Sequence, residues 1–372
     1  MYLQIREYIL ERIGTGEWTT GAPLPSENEL CEQFRVSRIT VKQALDALVE
    51  KGTVYRIQGK GTFLSAASEG EQPLFSPATP SDSGTEGKNL IGGGKLVGYV
   101  APRLNNMYMC NILGGIEGAA ADAGFRLVFA RTHDNQEQEE RVLADLIRCG
   151  VSGIIVYPVE GELYNEYVLK LILERFPLVV VDRYLRGIET DVVCSDNILG
   201  GFQAADHLLG LGHRAIAFVS HRHLGTSSVE DRISGYEKAM LQAGVPVDYS
   251  HRLLSLKSLQ PANTGEIRAF LQAHPEISAV IAVNSYIGGQ VLQAASSLGL
   301  KVPGDLSVVL FDNRDPLAVN PTYVSQDEAD MPLRAVRLLL DAIADPHAKR
   351  QKIEIPTTLV VGDTSGPPPT KK

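Results

Sequence analysis

Seven short apolar runs lie between residues 96 and 312, and segments of helical length separate them. The runs are LVGYVA (96–101), RLVFA (126–130), GIIVY (153–157), PLVVVD (177–182), AIAFVS (215–220), SAVIAV (278–283) and LSVVLFD (306–312). Such runs are typical of strands buried on both faces of a parallel sheet. Because amphipathic helical segments alternate with them, the pattern predicts a doubly wound α/β domain. Ligands of such sheets bind at the carboxyl ends of the strands.

The first 64 residues follow a helical period instead. A stripe from Ile5 to Ile13 predicts a helix over residues 3–14, and Ser26 with Glu29 forms a capping box for a second helix. Ser37 caps a third helix, whose buried stripe is Val41, Ala44, Leu45 and Leu48. The segments TVYRI and QGKGTFL then predict a hairpin with a small basic tip at residues 59–61.

Residues 65–94 are rich in Ser, Pro and Gly and have almost no apolar period, so they are predicted to be a flexible linker. The sequence therefore predicts a small domain at 1–64, a linker at 65–94 and a larger domain at 95–363. The last residues, 364–372, end in GPPPTKK and are expected to form a disordered tail.

The net charge of −9 hides an asymmetry in the first domain. Residues 1–34 carry two arginines against six glutamates, a net charge of −4. Residues 35–60 carry six basic residues against two acidic ones, a net charge of +4. Because a phosphate backbone responds to local charge, screened over about 10 Å, an acidic chain total does not exclude DNA binding.

Other residue patterns narrow the function classes. The four cysteines are far apart, so neither a disulfide scaffold nor a zinc site is predicted, and a reducing bacterial cytoplasm is expected. No basic leader and no run of 18 apolar residues occurs. The eight histidines show no metal-site spacing, and neither G-x-S-x-G nor H-E-x-x-H is present. The sequence thus predicts no enzyme, cofactor or metal.

Three motifs in residues 1–64 resemble the GntR family: LPSE (24–27), VSRITVKQAL (36–45) and GKGTF (59–63). The resemblance implies a winged helix-turn-helix that binds double-stranded operator DNA. The implied DNA-binding positions are Glu27, Asn28, Arg38, Thr40, Lys42, Gln58, Gly59 and Lys60. At Lys42 the family usually has arginine; lysine still neutralises phosphate but lacks the planar fork that reads guanine.

The larger domain resembles the effector domains of the LacI and periplasmic sugar-binding group. Matching segments include VGYVAPRLNNMY (97–108), VVVDR (179–183), SDNILGG (195–201), DRISGY (231–236) and LSVVLFDN (306–313). This resemblance implies two Rossmann-like lobes joined by three crossovers, with the ligand between them.

The candidate effector-binding residues follow strands of this domain or open its helices. The resemblance assigns Arg232, Asn284, Asp312 and Asp182 to ligand contacts. Tyr108, Tyr157 and Tyr286 are candidate aromatic platforms for a sugar ring, chosen by their strand-end positions. Ser285 stands where the family usually has aspartate, a change expected to affect helix capping or lobe packing more than sugar contact.

A GntR-type head on a LacI-type body resembles the arabinose repressors of Gram-positive bacteria. It implies a homodimeric transcription repressor that leaves its operator when a small sugar binds, with L-arabinose as the first candidate. Two alternatives stay open at this point: a non-sugar effector such as a purine, and a sugar-binding protein of the transport type.

Overall fold

The computed structural model divides into two compact units, Met1–Ser81 and Asp82–Lys372. In the first unit it describes residues 5, 8–9, 12, 24–34, 36–37, 40–41, 45, 48, 54–57 and 61–64. In the second it describes residues 95–104, 106–161, 164–221, 225–256, 264–312 and 319–370. The predicted linker, residues 65–94, lies outside the described residues.

The first unit has the predicted helices and hairpin. Helix α1 spans Glu27–Phe34, and strands β1 (Val54–Ile57) and β2 (Gly61–Leu64) pair antiparallel. The capping box is confirmed, since the Ser26 amide donates to Glu29 Oε2 at 2.7 Å and the Glu29 amide donates to Ser26 Oγ at 3.3 Å. The buried core consists of Ile5, Ile9, Leu24, Leu30, Val41, Leu45 and Leu48. The predicted helical stripes therefore meet in one small core.

The second unit consists of two lobes, each built on a six-stranded sheet. The N-lobe sheet has the order β13-β7-β6-β5-β3-β4 and is wholly parallel. Its strands are β3 (Lys95–Ala101), β4 (Phe125–Arg131), β5 (Ile154–Val156), β6 (Leu178–Val181), β7 (Asp191–Ser195) and β13 (Lys352–Ile355). Its helices are α2 (Met107–Asp122), α3 (Gln136–Arg148), α4 (Glu166–Leu173) and α9 (Asp330–Ala344).

The C-lobe sheet has the order β14-β12-β11-β10-β8-β9, with only β14 antiparallel to its neighbour. Its strands are β8 (Ile216–His221), β9 (Arg252–Leu256), β10 (Ala279–Ala282), β11 (Ser307–Phe311), β12 (Thr322–Ser325) and β14 (Thr358–Val360). Its helices are α5 (Asn197–Gly210), α6 (Ser227–Gln242), α7 (Thr264–Ala273) and α8 (Ser285–Ser297), and a short 3₁₀ helix spans Tyr249–His251. Among the helices that the structure describes, none has the length and apolar character needed to cross a bilayer.

The chain crosses between the lobes three times, as predicted. It leaves the N-lobe between β7 and α5, returns between β12 and α9, and leaves again between β13 and β14. All seven predicted strands are present. The sequence pattern misses β7, β9, β12, β13 and β14. Of these, β9, β13 and β14 form sheet edges, where half-exposed positions carry polar residues and break the apolar run.

The prediction of a disordered tail from residue 364 is wrong for its first residues. Thr364 is buried; its Oγ1 donates to the carbonyl of Val308 at 2.6 Å, and its carbonyl accepts from the Val308 amide at 2.7 Å. The carbonyl of Gly366 accepts a hydrogen bond from His213 Nε2 at 2.8 Å. Backbone pairing with the amino end of β11 therefore orders this segment, although three prolines follow it.

The His213 side chain predicts a pH dependence of stability. Burial lowers the pKa of His213 below its usual 6.5, against the opposing effect of its hydrogen bond to Gly366. The unfolded chain then binds this proton at a higher pH than the folded chain does. The free energy of unfolding should therefore fall as the pH drops below about 6.5. Urea melts between about pH 7.5 and about pH 5.5 measure this; the His213→Gln variant should be less stable at neutral pH and have a flatter pH slope.

Candidate functional site

A cleft opens between the two lobes at the carboxyl ends of their parallel strands. It encloses about 790 Å³, including the solvent at its mouth. The described residues that line it are Pro102, Arg103, Asn106, Met109, Asp134, Tyr157, Glu160 and Arg183 from the N-lobe, and His221, Asn284, Ser285, Tyr286 and Asp312 from the C-lobe. These residues lie at the carboxyl ends of strands, in the segments that follow them or in the first turns of the next helices, as expected for a ligand site of such a sheet. The predicted location of the site is therefore where the fold forms its cleft.

Arg183 is the central charged side chain of the N-lobe wall. Only 8% of its surface is exposed, and its guanidinium lies over the Tyr157 ring, 4.7 Å from the centroid. Its Nη2 donates to Tyr157 Oη at 3.2 Å and to Glu160 Oε1 at 3.3 Å. Its Nε and Nη1 are buried and have no hydrogen-bond partner among the described residues. Within the part of the chain that the structure describes, two donors of a fixed planar fork are thus unpaired beside the cleft.

Glu160 stays ionised beside this arginine. Burial alone would raise its pKa, but the Arg183 guanidinium and a hydrogen bond from His221 outweigh burial and lower the pKa to about 2. His221 Nε2 lies 3.4 Å from Glu160 Oε1, and the two residues belong to different lobes. The two residues therefore line the cleft, and their contact joins the two lobes across it.

Tyr108 and Asp182 lie behind the N-lobe wall. Both are buried, and Tyr108 Oη donates to Asp182 Oδ1 at 2.7 Å. Burial and the nearby Asp182 charge raise the pKa of Tyr108 well above its usual value, so the phenol keeps its proton and its role as donor. Asp182 Oδ2 is 3.7 Å from Arg183 Nε. This pair fixes the base of Arg183 without itself lining the cleft.

The C-lobe wall is formed by residues that end β10 and β11. Asp312 is buried, and its Oδ1 accepts a hydrogen bond from Gln326 Nε2 at 2.8 Å. Asn284 caps α8, with its Oδ1 accepting from the Ile287 amide at 2.9 Å, and its side chain lines the cleft. Tyr286, 38% exposed, provides an aromatic surface at the mouth.

Arg232 lies behind the C-lobe wall, not in it. Its Nε donates to Asn197 Oδ1 at 2.8 Å and its Nη1 to the Val283 carbonyl at 2.7 Å, while the guanidinium covers the Phe311 ring at 4.1 Å. Val283 and Phe311 directly precede Asn284 and Asp312 in sequence. Arg232 therefore fixes the strand ends that precede these two wall residues. Its direct contact with an effector stays a prediction.

Two glycines bring Arg232 to this position. A Cβ atom on Gly201 would lie 2.0 Å from the Arg232 carbonyl oxygen, and one on Gly235 would lie 2.1 Å from the Ile198 carbonyl oxygen. Helices α5 and α6 thus cross backbone against backbone, which only glycine permits. The close crossing places Asn197 within reach of Arg232.

Four of the seven predicted effector residues line the cleft: Tyr157, Asn284, Tyr286 and Asp312. The other three, Tyr108, Asp182 and Arg232, support it from behind. Sequence reasoning missed Arg103, Glu160, Arg183 and His221. The signal for Arg183 was present, because it directly follows Asp182 in the VVVDR segment.

The lobes also contact each other away from the cleft wall. The loop after β6 docks on the first turn of α6: the Tyr184 amide donates to Ser227 Oγ at 2.9 Å, and Ser227 Oγ donates to the Tyr184 carbonyl at 2.8 Å. Arg186 pairs with Asp231 at 2.6 Å and with Glu230 at 2.9 Å. A change in the angle between the lobes would have to strain or break these contacts.

The DNA-binding residues are only partly within the described structure. Thr40 lies in the third helix, and its Oγ1 is 3.0 Å from Ser37 Oγ, at the predicted helix start. Glu27 and Asn28 are in α1, but their side chains lie outside the described residues. Arg38, Lys42, Gln58, Gly59 and Lys60 also lie outside the described residues, so their DNA contacts remain predictions.

Comparisons with known proteins decide the family. Residues 1–64 match the bacterial regulatory proteins of the gntR family, and residues 205–365 match a periplasmic binding protein-like domain. An arabinose metabolism transcriptional repressor of Geobacillus stearothermophilus is 31% identical over 354 residues, which cover 92% of this chain and 91% of that protein. The chain belongs to this family of GntR-type repressors. It is a transcription repressor and not an enzyme.

One further curated relative agrees with this assignment, and one solved structure shares the fold of the body. A second arabinose metabolism transcriptional repressor, from Halalkalibacterium halodurans, is 27% identical and covers 93% of this chain and 89% of its own. A LacI family transcriptional regulator from Enterococcus faecium, solved with bound ribose, superimposes with a TM-score of 0.63 at 24% identity, covering 73% of this chain and 99% of its own. The second comparison supports the bilobed fold of the body.

Proposed function

We propose that this repressor leaves its operator when a small neutral sugar, L-arabinose first among candidates, binds in the interlobe cleft. The observation that carries the proposal is the buried Arg183 fork, whose Nε and Nη1 have no hydrogen-bond partner among the described residues. Sugar hydroxyls accept such hydrogen bonds, and Tyr286 at the mouth offers an exposed aromatic face for the ring. The two arabinose repressors among the relatives favour the same ligand class.

The charge of the cleft wall favours a neutral ligand over an anionic one. Among the described wall residues, each arginine is matched by a carboxylate: Arg103 with Asp134, and Arg183 with Glu160. Asp312 adds a further acidic group. A phosphate or carboxylate ligand would meet no excess positive charge here, whereas a polyol can donate to the carboxylates and accept from the arginines.

The proposed output is binding of double-stranded operator DNA by a homodimer in the bacterial cytoplasm. The proposed contacts are Glu27, Asn28, Arg38, Thr40, Lys42, Gln58, Gly59 and Lys60. A two-fold dimer would read a pseudo-palindrome with matching half-sites. Sugar binding would favour the closed arrangement of the lobes and weaken operator affinity by about 5–150-fold.

A ligand panel tests the proposal. The full chain first selects its own binding site from random duplex DNA, and anisotropy then measures affinity for that site with L-arabinose, D-ribose, D-glucose or hypoxanthine present. We expect L-arabinose to weaken DNA binding and to raise the melting temperature, because it binds only the folded state. A response to hypoxanthine alone would identify the effector as a purine. Absence of a response to every sugar would overturn the sugar proposal.

A further inference from the structure

Two histidines and a glutamate converge in the C-lobe, outside the interlobe cleft. Their donor atoms, one each from His251, His274 and Glu276, all lie within 4.8 Å of one another. Glu276 Oε1 is 3.0 Å from His251 Nε2 and 3.2 Å from His274 Nδ1. We propose that this cluster binds a divalent transition metal of the zinc class.

The separations suit a tetrahedral ion. With metal–ligand bonds of about 2.0–2.1 Å to imidazole nitrogen and carboxylate oxygen, neighbouring ligand atoms in a tetrahedron are about 3.3 Å apart. The two N···O separations to Glu276 Oε1 lie within a few tenths of that value. Both rings direct a nitrogen at one carboxylate oxygen, so small shifts of the Glu276 side chain bring all three donors around a single ion.

Asp248 lies beside the cluster, on the same turn of chain as His251. Its Oδ1 accepts from the Ser250 amide at 2.8 Å and from Ser250 Oγ at 2.7 Å. Its Oδ2 lies 3.7 Å from His251 Nε2, on the side of the cluster. Two imidazole nitrogens and a carboxylate oxygen are a donor set that suits a divalent transition metal of the zinc class.

The scaffold around the cluster holds the imidazoles in place. His251 is only 8% exposed and ends the 3₁₀ helix that leads into β9. His274 follows α7 and packs against the Phe270 ring at a centroid distance of 5.1 Å, and the two imidazoles meet edge to face at 5.7 Å. Ligands held by packing lose little freedom on binding an ion.

The position of the cluster separates it from the effector site. Its residues precede the amino ends of β9 and β10, whereas His221 and Asn284 of the cleft lie at the carboxyl ends of β8 and β10. An ion here would join the turn before β9 to the segment after α7. It would therefore stabilise the C-lobe without occupying the effector cleft.

Cobalt binding to the full chain tests the proposal. Co²⁺ in a tetrahedral N/O site gives strong visible d–d bands, and thiolate ligands would add a charge-transfer band, which distinguishes this site from the four cysteines. We expect one equivalent of Co²⁺ per chain with no thiolate band, displacement by Zn²⁺, and a rise in melting temperature with Zn²⁺.

Variants locate the ion. His274→Asn and Glu276→Gln should each weaken Co²⁺ binding at least about tenfold, while His347→Asn, an exposed histidine remote in sequence from the cluster, should not change it. Circular dichroism, and the rise in melting temperature with the sugar that the panel identifies, confirm that each variant is folded. Absence of stoichiometric binding, a thiolate band, or unchanged binding in both cluster variants would overturn the proposal.

Discussion

Replacing Arg183 by lysine is expected to raise the dissociation constant of the effector roughly a hundredfold to ten-thousandfold. Lysine keeps the charge that faces Asp182 and Glu160, but it lacks the planar fork whose Nε and Nη1 lie buried without a hydrogen-bond partner among the described residues. Each hydrogen bond from a charged donor is worth about 1.5–3 kcal/mol, so two amount to about 3–6 kcal/mol. Isothermal titration with the sugar that the panel identifies measures the loss.

The control is Arg126→Lys, the same substitution at an exposed position at the start of β4. It should leave sugar affinity and operator affinity unchanged. Arg183→Lys should keep operator affinity and lose only the release by sugar, which would make the variant a repressor that does not respond. If sugar affinity changes less than about threefold, Arg183 does not contact the effector.

Replacing Arg38 by alanine is expected to reduce operator affinity about thirtyfold or more. Arg38 follows Ser37, the predicted start of the helix whose first turns are proposed to enter the major groove. One arginine contact there is worth about 1–3 kcal/mol. A homodimer makes the contact twice, which gives about 2–6 kcal/mol. Fluorescence anisotropy on the selected operator measures the change, and the melting shift with sugar should stay as in the parent protein.

Arg141→Ala serves as the matched control, because this arginine lies on α3 of the N-lobe with 72% of its side chain exposed. It should bind the operator as tightly as the parent. The salt dependence gives a second readout. If Arg38 contacts a DNA phosphate, the homodimer loses that contact twice, and the slope of log affinity against log salt flattens by about 1.8. Equal operator affinity for Arg38→Ala and the parent would remove Arg38 from the interface.

Strands such as β6 and β11 were predictable, because they are buried on both faces and their sequences are therefore nearly continuous apolar runs. The edge strand β13 was not, because one face meets solvent and Lys352 and Glu354 interrupt its apolar run. The close crossing of α5 and α6 was encoded in Gly201 and Gly235, but spacing alone does not say which carbonyl each glycine must clear.

The sequence predicts that the site lies at the ends of strands, but it does not predict which side chains point into the cleft. Asn284 and Asp312 follow buried strands and line the cleft as expected. Arg232 also follows the pattern of the family, yet its guanidinium lies behind the wall, over Phe311. Arg183 directly follows Asp182, which adopts a left-handed backbone conformation with φ of 70°, and the sequence does not reveal this conformation. The His251–His274–Glu276 cluster is hidden for another reason, because two separate turns contribute to it.

Both lobes are completed by the last part of the chain. The N-lobe sheet needs β13, whereas the C-lobe sheet needs β14 and the segment at Thr364 that pairs with Val308. On the ribosome, neither lobe can close until nearly all of the chain has emerged. A message cut short before this point would yield a DNA-binding head attached to an incomplete body, exposed to cellular proteases. A chain truncated in this way would lack β13 in one sheet and β14 in the other, so both lobes would lose an edge strand.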